Sequence, residues 1–192
     1  MRKLTKNIFV EATEVCPVIP EIKNDEWLAS LDQSECDLAY IIYGDVCTIP
    51  DIVERAKNQG KYVLVHIDLI DGLAQKAIAV DFIKHFTRAD GIISTKHAMI
   101  KRANELGLFT VQRFFMMDGI TYSNIERHVK LSDPDIVELM PAGLSKVLKW
   151  LTESIHRPVV ASGLTQDKDD IISALSAGAI AVATSNRGLW NV

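Results

Sequence analysis

The stretch PVVASGLTQDKDDIISALSAGAIAVATS, Pro158–Ser185, decides the fold. Two short apolar runs, Pro158–Ala161 and Ala179–Ala183, bracket a helical pattern in which Ile171, Ile172 and Leu175 recur at core spacing. Each run ends in small polar residues, Ser162-Gly163 after the first and Thr184-Ser185 after the second. A parallel strand–helix–strand unit brings those two tips side by side, with backbone N–H groups and a helix N-terminus close by. That arrangement cradles a phosphate without a basic side chain. The helix is expected to start near Thr165 or Gln166, with Asp167, Asp169 and Asp170 in its first turn, where acids complement the helix dipole and compete with an outside anion. The plainer reading is a strand-to-helix turn made of small residues, with Gly178 as a C-cap.

The same alternation runs outward along the chain. Strand-type runs fall at Pro17–Lys23, Leu38–Tyr43, Tyr62–Ile67, Gly91–Ile93, Leu108–Val111 and Asp135–Leu139, ahead of the two already quoted. Phe114–Met117 either prolongs the fifth run or opens its loop. Between the runs lie helical patterns: a brief one at Trp27, Leu28 and Leu31, then Ile49–Gln59, Ala74–Phe86, one from Lys96 through Leu106, Ser123–Leu131 and Leu144–Ile155. Eight strands alternating with helices predict a closed, TIM-barrel-like (β/α)8 fold of class α/β, against the rival of an open doubly wound sheet. The barrel is short. The chain ends at Leu189-Trp190-Asn191-Val192, before a full eighth helix. Part of the outer wall is therefore expected to be covered by the N-terminal lead-in, residues 1–16, or by a partner chain, a second copy of the protein included. With no internal repeat, low-complexity tract or linker, residues 1–192 read as one domain.

Composition narrows the functional classes. Of 192 residues, 48% are apolar and 24% charged, which suits a globular domain with a sizeable core. The net charge of -4 lacks the basic footprint of a dedicated nucleic-acid binder. Cys16, Cys36 and Cys47 form no CxxC pair and are odd in number, so buried thiols in a reducing compartment are expected rather than a disulfide framework. Glu11 and Glu14 interrupt any signal-peptide core, and no later run is long enough to span a membrane. The expected location is cytoplasmic.

In a parallel barrel the carboxyl ends of the strands converge on one face, where sites are built. Those ends carry Lys23, Asp45, Asp68, Lys96, Arg113, Glu138, Ser162-Gly163 and Thr184-Ser185. Carboxylates, cations and a phosphate-type cup on one rim suit a small, polar, phosphorylated ligand: the acids accept from its hydroxyls, and Lys96 or Arg113 reaches its anionic end. The alternative is a rim of mutually paired or solvated charges, and a register slip of one residue would turn some of them outward. His66 and Asp68 share a strand face, yet no third metal ligand stands at a suitable spacing, so a histidine packed beside a functional aspartate is expected. Lys96 reads either as a contact to the ligand or as a Schiff-base lysine. Trp27, Trp150 and Phe86 read as helix-to-barrel packing rather than a stacking platform for bases.

One family shares these residues in order. Val65–Leu73 (VHIDLIDGL), Ala89–Lys96 (ADGIISTK), Val111–Phe115 (VQRFF), Pro134–Pro141 (PDIVELMP), Pro158–Leu164 (PVVASGL) and Ala183-Thr184-Ser185 resemble the glycerol uptake operon antiterminator proteins over most of the chain after about Pro17. The resemblance implies a (β/α)8-like barrel that binds glycerol 3-phosphate, uses no cofactor, and acts on the leader mRNA of glycerol-utilisation genes so that transcription passes a terminator. It implies the phosphate at Ser162, Gly163, Thr184 and Ser185, with Asp68, Lys96, Arg113 and Glu138 around the glycerol part. Where the family pattern is closer to Ala-Gly-Gly, this chain has Ala161-Ser162-Gly163, adding a side chain that either crowds the backbone approach or donates to phosphate. The expected protein is thus a ligand-responsive regulator rather than an enzyme. The alternatives are an enzyme acting on a small phosphorylated polyol or sugar, and a ligand-binding barrel that works through a protein partner.

Overall fold

The computed structural model describes residues 2–192. Eight strands alternate with helices: β1 Val18–Ile22, β2 Leu38–Ile41, β3 Tyr62–His66, β4 Gly91–Ser94, β5 Phe109–Phe115, β6 Ile136–Met140, β7 Val159–Ser162 and β8 Ala181–Thr184. Helix α1, Lys6–Val15, precedes β1, and α2, Asp25–Ala29, follows it. Then come α3 Ile49–Asn58, α4 Ala77–Phe86, α5 His97–Glu105, α6 Gly119–Ser132, α7 Ser145–Ser154 and α8 Lys168–Ser176. The strands pair in parallel, each with its sequence neighbour, and β8 closes on β1 through Val18↔Val182, Ile19↔Ala183 and Pro20↔Thr184. The expected (β/α)8 barrel is the observed fold.

Apart from Phe115 and Met140 at the ends of β5 and β6, the strands are buried on both faces; most of their residues are apolar, with Glu21, His66, Gln112, Arg113 and Glu138 among the buried polar exceptions. Alternation sorts their side chains into two shells. Ile19, Tyr40, Leu64, Ile93, Val111, Ile136, Val160 and Ala183 fill the interior. Their neighbours Ala39, Ile41, Val63, Val65 and Ile92, and on the other side Val137, Leu139 and Ala161, pack outward against the helices.

The ends of the chain close different parts of the barrel from those expected. The lead-in does not cover the outer wall. It forms α1, capped by the Thr5 hydroxyl, and puts Leu4 and Phe9 into the interior cluster, where Phe9 stacks on Phe109 at 5.2 Å between ring centroids. Phe109 opens β5, so α1 plugs the amino end of the barrel. The outer wall beside β8 and β1 is covered instead by a 3-10 turn, Arg187–Leu189, whose Leu189 is buried together with the following Trp190. Trp190 packs in one cluster with Ile22, Leu28 and Leu31 and donates from Nε1 to the Thr184 carbonyl at 3.3 Å. One buried indole thus covers this part of the wall.

Smaller differences have local causes. Helix α6 begins at Gly119, four residues before its apolar pattern starts, because Asp118 accepts from the Thr121 N–H at 2.8 Å and caps it. β5 continues to Phe115, its ladder with β6 reaching the Phe115↔Met140 pair. Cys47 is exposed rather than buried. Phe86 and Trp150 are also exposed: Phe86 stacks on Phe82, and Trp150 meets the Tyr122 edge under the Lys146 ammonium.

Candidate ligand site at the carboxyl face

The interior ends upward in charge. Arg113 on β5 forks Glu138 on the adjacent β6, with Nε 2.9 Å from Oε2 and Nη2 2.9 Å from Oε1. Its Nη2 also donates across the barrel to Glu21 Oε1 on β1 at 2.7 Å. All three side chains are almost wholly buried. Burial works against the Arg113 charge, but Glu138 and Glu21 outweigh it and raise the guanidinium further. Two carboxylates share one cation, and the cost falls on Glu21. Burial pushes its pKa up; Arg113 opposes this and the Glu138 charge adds to it. His66, at the end of β3, is lowered to about 4, first by burial and then by Arg113, so it is neutral at pH 7. Its Nδ1 and the Tyr40 hydroxyl have no hydrogen-bond partner within the protein.

Above this cluster a cavity of about 480 Å³ opens on the carboxyl face, on the β7–β8–β1 side. Glu21 forms its floor. The loops after β7 and β8 form its walls, through Gly163–Gln166 and Ser185–Gly188, and Lys23 and Trp27 line the β1 side. Gly163 and Leu164 take successive left-handed conformations, φ +75° and +56°. For Leu164 this is a sparsely populated state costing on the order of 1 kcal/mol or more. A Cβ at Gly163 would lie 2.5 Å from Met140 Cε, so the turn sits tight on β6. Among the described residues, no protein group accepts from the N–H of Leu164, Thr165 or Ser185. The Thr165 hydroxyl, 5% exposed and on the cavity wall, is also unpartnered, as is the buried Ser162 hydroxyl below it. Buried hydroxyls without partners, as at Thr165 and Ser162, are uncommon, and together with the open loop amides of Leu164, Thr165 and Ser185 they make a cavity wall that suits an anionic guest.

Helix α8 contributes less than expected. It begins at Lys168, later than Thr165 or Gln166, because Asp167 accepts from the Asp170 N–H at 3.0 Å and acts as its cap. Asp170 in turn accepts from the Gln166 N–H at 2.8 Å. These acids occupy the helix terminus themselves, and the cup is built from loop amides. Cations stand at the lip instead. Lys23 Nζ lies 4.5 Å from the Trp27 ring centroid, Arg187 Cζ lies 5.4 Å from it, and the indole Nε1 donates to the Ser185 carbonyl at 2.9 Å. Trp27 is therefore part of the cavity wall and not simple helix packing.

The eight residues singled out from the sequence divide into four groups. Gly163, Thr184 and Ser185 line the cavity. Ser162 faces the interior, on the side of Val160 and opposite Ala161, so its side chain lies below the cup and does not obstruct the Gly163 backbone. Arg113 and Glu138 lie under the floor, linked to the cavity through Glu21. Asp68 and Lys96 stand on the β3–β4 rim, outside this cavity. Asp68 accepts from the Ser94 hydroxyl, the Thr95 N–H and the Thr95 hydroxyl at 2.7–2.8 Å; burial opposes its charge, but these donors hold its pKa below the ordinary value. The Lys96 ammonium makes no ion pair among the described residues. Among those residues, no group of three His, Cys, Asp or Glu side chains is arranged to hold a metal ion.

Sequence reasoning passed over Glu21, Trp27 and Thr165. A signal existed for Glu21: it is the lone carboxylate in VIPEI, two residues from Ile19, and alternation turns both into the barrel. Nothing local marks Trp27, whose role depends on the β8 loop 158 residues away.

A parallel (β/α)8 barrel with a polar, donor-rich cavity at the carboxyl ends of its strands is the class that fold and site define. The chain belongs to the glycerol-3-phosphate responsive antiterminator family, whose model matches residues 18–190. It is 42% identical over 176 residues to a protein of Escherichia coli (strain K12) described as uncharacterized protein YgcP, with 92% of each chain covered. Its structure resembles that of the glycerol uptake operon antiterminator regulatory protein from Listeria monocytogenes str. 4b F2365 at 31% identity and TM-score 0.87, covering 90% of this chain and 94% of that one. A glycerol uptake operon antiterminator-related protein from Thermotoga maritima MSB8 is similar at 25% identity and TM-score 0.79, covering 91% and 98%. No helix among the described residues is long and apolar enough to cross a membrane.

Proposed function

We propose that this protein senses glycerol 3-phosphate and, when liganded, acts on the leader mRNA of glycerol-utilisation genes to prevent transcription termination. The observation that carries the ligand part is the ring of unpartnered donors, Leu164 N–H, Thr165 N–H and hydroxyl, and Ser185 N–H, beside Lys23 and Arg187. The phosphate sits in that ring, and Glu21, held in place by Arg113, accepts from a glycerol hydroxyl at the floor. The RNA part rests on family membership. Thermal shift with glycerol 3-phosphate, glycerol and inorganic phosphate tests the ligand, since a ligand bound to the folded state raises the midpoint with concentration. A gel-shift titration with leader RNA, with and without the ligand at a stated salt concentration, tests the output. No shift with glycerol 3-phosphate sinks the first step; ligand binding without ligand-dependent RNA binding sinks the second.

An enzymatic reading has one observation in its favour. Glu21 is a carboxyl group with a raised pKa on the floor of an anion-suited cavity, the setting of a general acid. Turnover of phosphorylated polyols or sugars that vanishes in Glu21→Gln would establish it, and no turnover over a broad panel would remove it.

A further inference from the structure

At the opposite end of the barrel from the cavity lie two thiols that the ligand site does not use. Cys16 follows the last residue of α1, and Cys36 stands two residues before β2; they are 7% and 0% exposed and belong to one buried cluster. The last residues of the chain bring the two together: Cys16 Sγ lies 3.9 Å from the Trp190 carbonyl oxygen, and the next side chain, Asn191, accepts from the Glu35 N–H at 3.2 Å and donates to the Gln33 carbonyl at 2.7 Å. Both cysteines thus flank one turn inside one buried cluster, the setting a disulfide needs to close without moving the barrel.

A buried cation stands beside the pair. Lys61, 7% exposed, donates from Nζ to the Ser34 carbonyl at 2.6 Å and to the Cys36 carbonyl at 2.8 Å, and makes no ion pair among the described residues. A buried ammonium without a carboxylate favours negative charge nearby. The neighbouring Cys36 thiol lowers the Cys16 thiol to about 6, although Cys16 Sγ also lies within donating distance of the Val18 and Trp190 carbonyls, at 3.7 and 3.9 Å; burial and the exposed Glu35 oppose the shift, and Lys61 assists it. The Cys36 thiol is pushed up, first by the Cys16 sulfur beside it and then by burial. The two shifts run in opposite directions, Cys16 down and Cys36 up, and Cys16 is the less buried of the pair, which is the asymmetry of an attacking and a resolving thiol.

We propose that Cys16 and Cys36 form a reversible two-electron oxidation site for peroxide, with Cys16 as the attacking thiolate, Cys36 as the resolving thiol and Lys61 as the charge that favours the thiolate. Cys16 sulfur attacks one oxygen of hydrogen peroxide. The O–O bond breaks, hydroxide leaves and takes up the proton that Cys16 had released, and Cys16 becomes a sulfenic acid. Cys36 sulfur then attacks Cys16 sulfur; the S–O bond breaks and the leaving hydroxide departs with the Cys36 proton as a second water. Two thiols and one peroxide become one disulfide and two waters. The bond closes a loop that contains β1 and α2, and so staples the segment bearing Glu21, Lys23 and Trp27 of the cavity wall.

The test uses the full chain carrying Cys47→Ser, which removes the exposed thiol and touches neither partner. After treatment with hydrogen peroxide, thiol titration in denaturant should fall from two per chain to none. Peptide mapping should find Cys16 joined to Cys36 within a monomer, and dithiothreitol should restore both thiols. In the added Cys36→Ser background, dimedone should label Cys16; in Cys16→Ser, Cys36 should stay a free thiol over the same interval. Lys61→Met should move the pH midpoint of iodoacetamide alkylation of Cys16 upward, because the thiolate loses a neighbouring cation. Two thiols that still titrate after treatment sufficient to oxidise Cys47 in the unsubstituted chain overturn the proposal. So does a dimedone adduct on Cys36 in its place. The mapping itself needs no substitution in the buried pair, so a variant that folds poorly does not decide it.

Discussion

Arg113 on β5 and Glu21 on β1 meet across the barrel, Nη2 to Oε1 at 2.7 Å, although their strands stand on opposite sides of a ring of eight. The same guanidinium forks Glu138, so the upper interior is a buried triad of two acids and one cation. Removing the cation leaves two buried carboxyl groups facing each other. Arg113→Met should therefore cost about 3–5 kcal/mol in urea unfolding, the range for breaking a buried pair. Arg113→Met paired with Glu138→Leu should recover part of that loss, because less uncompensated charge remains.

Protonation of this region gives stability a defined pH dependence. His66 binds its proton near the ordinary pH 6.5 when unfolded and only near 4 when folded. Below pH 6.5 the unfolded chain thus binds more protons, and stability declines as pH falls through that window. The gap corresponds to about 3 kcal/mol, fully lost near pH 4, and His66→Leu should remove this component from urea midpoints measured between pH 7.5 and 4.5. Glu21 acts with the opposite sign. Its folded pKa is raised, so stability falls as pH climbs from the ordinary carboxylate value through the folded value. Glu21→Gln should gain on the parent over that climb and then hold level.

The cup after β7 is a place where backbone strain and binding can be separated. Leu164 is 76% exposed and has φ +56°, so Leu164→Gly should stabilise by about 0.5–1 kcal/mol while leaving the loop amides in place. Gly163→Ala should do the reverse, since φ is +75° and the new methyl meets Met140 Cε; a loss of about 1–2 kcal/mol is expected in the same unfolding measurement.

Ligand contacts are tested by Thr165→Val. This change removes an unpartnered buried hydroxyl and keeps the shape, so stability should hold or rise slightly. Affinity for glycerol 3-phosphate, read by calorimetry, should fall roughly tenfold, the value of one lost hydrogen bond to a charged group. Lys23→Ala should weaken binding with a smaller salt dependence than the parent shows, because one cation is gone from the lip.

Trp190 covers the outer wall beside β1, packed with Ile22, Leu28 and Leu31. With the indole 1% exposed, Trp190→Ala should cost about 3–5 kcal/mol, visible as a lower thermal midpoint.

Apolar run length and spacing determine a large part of this protein. Eight short strands separated by helical patterns leave a closed parallel barrel as the arrangement that buries both faces of each strand, and the small residues at 162–163 and 184–185 already mark its carboxyl tips. That much is local, since periodicity and turn chemistry act over a few residues. Closure decided the rest. It carried Arg113 to Glu21 and the β8 loop to Trp27, pairings between residues 92 and 158 positions apart that no local pattern encodes. It also decided which terminus covers which opening: Phe9 enters the barrel floor and Trp190 its flank because those are the apolar gaps within reach once the ring is closed. Even the opening stretch changed meaning. Its two tips do meet, but Asp167 and Asp170 occupy the helix end, so the Gly163–Leu164 turn, set by its packing on Met140, supplies the donors instead.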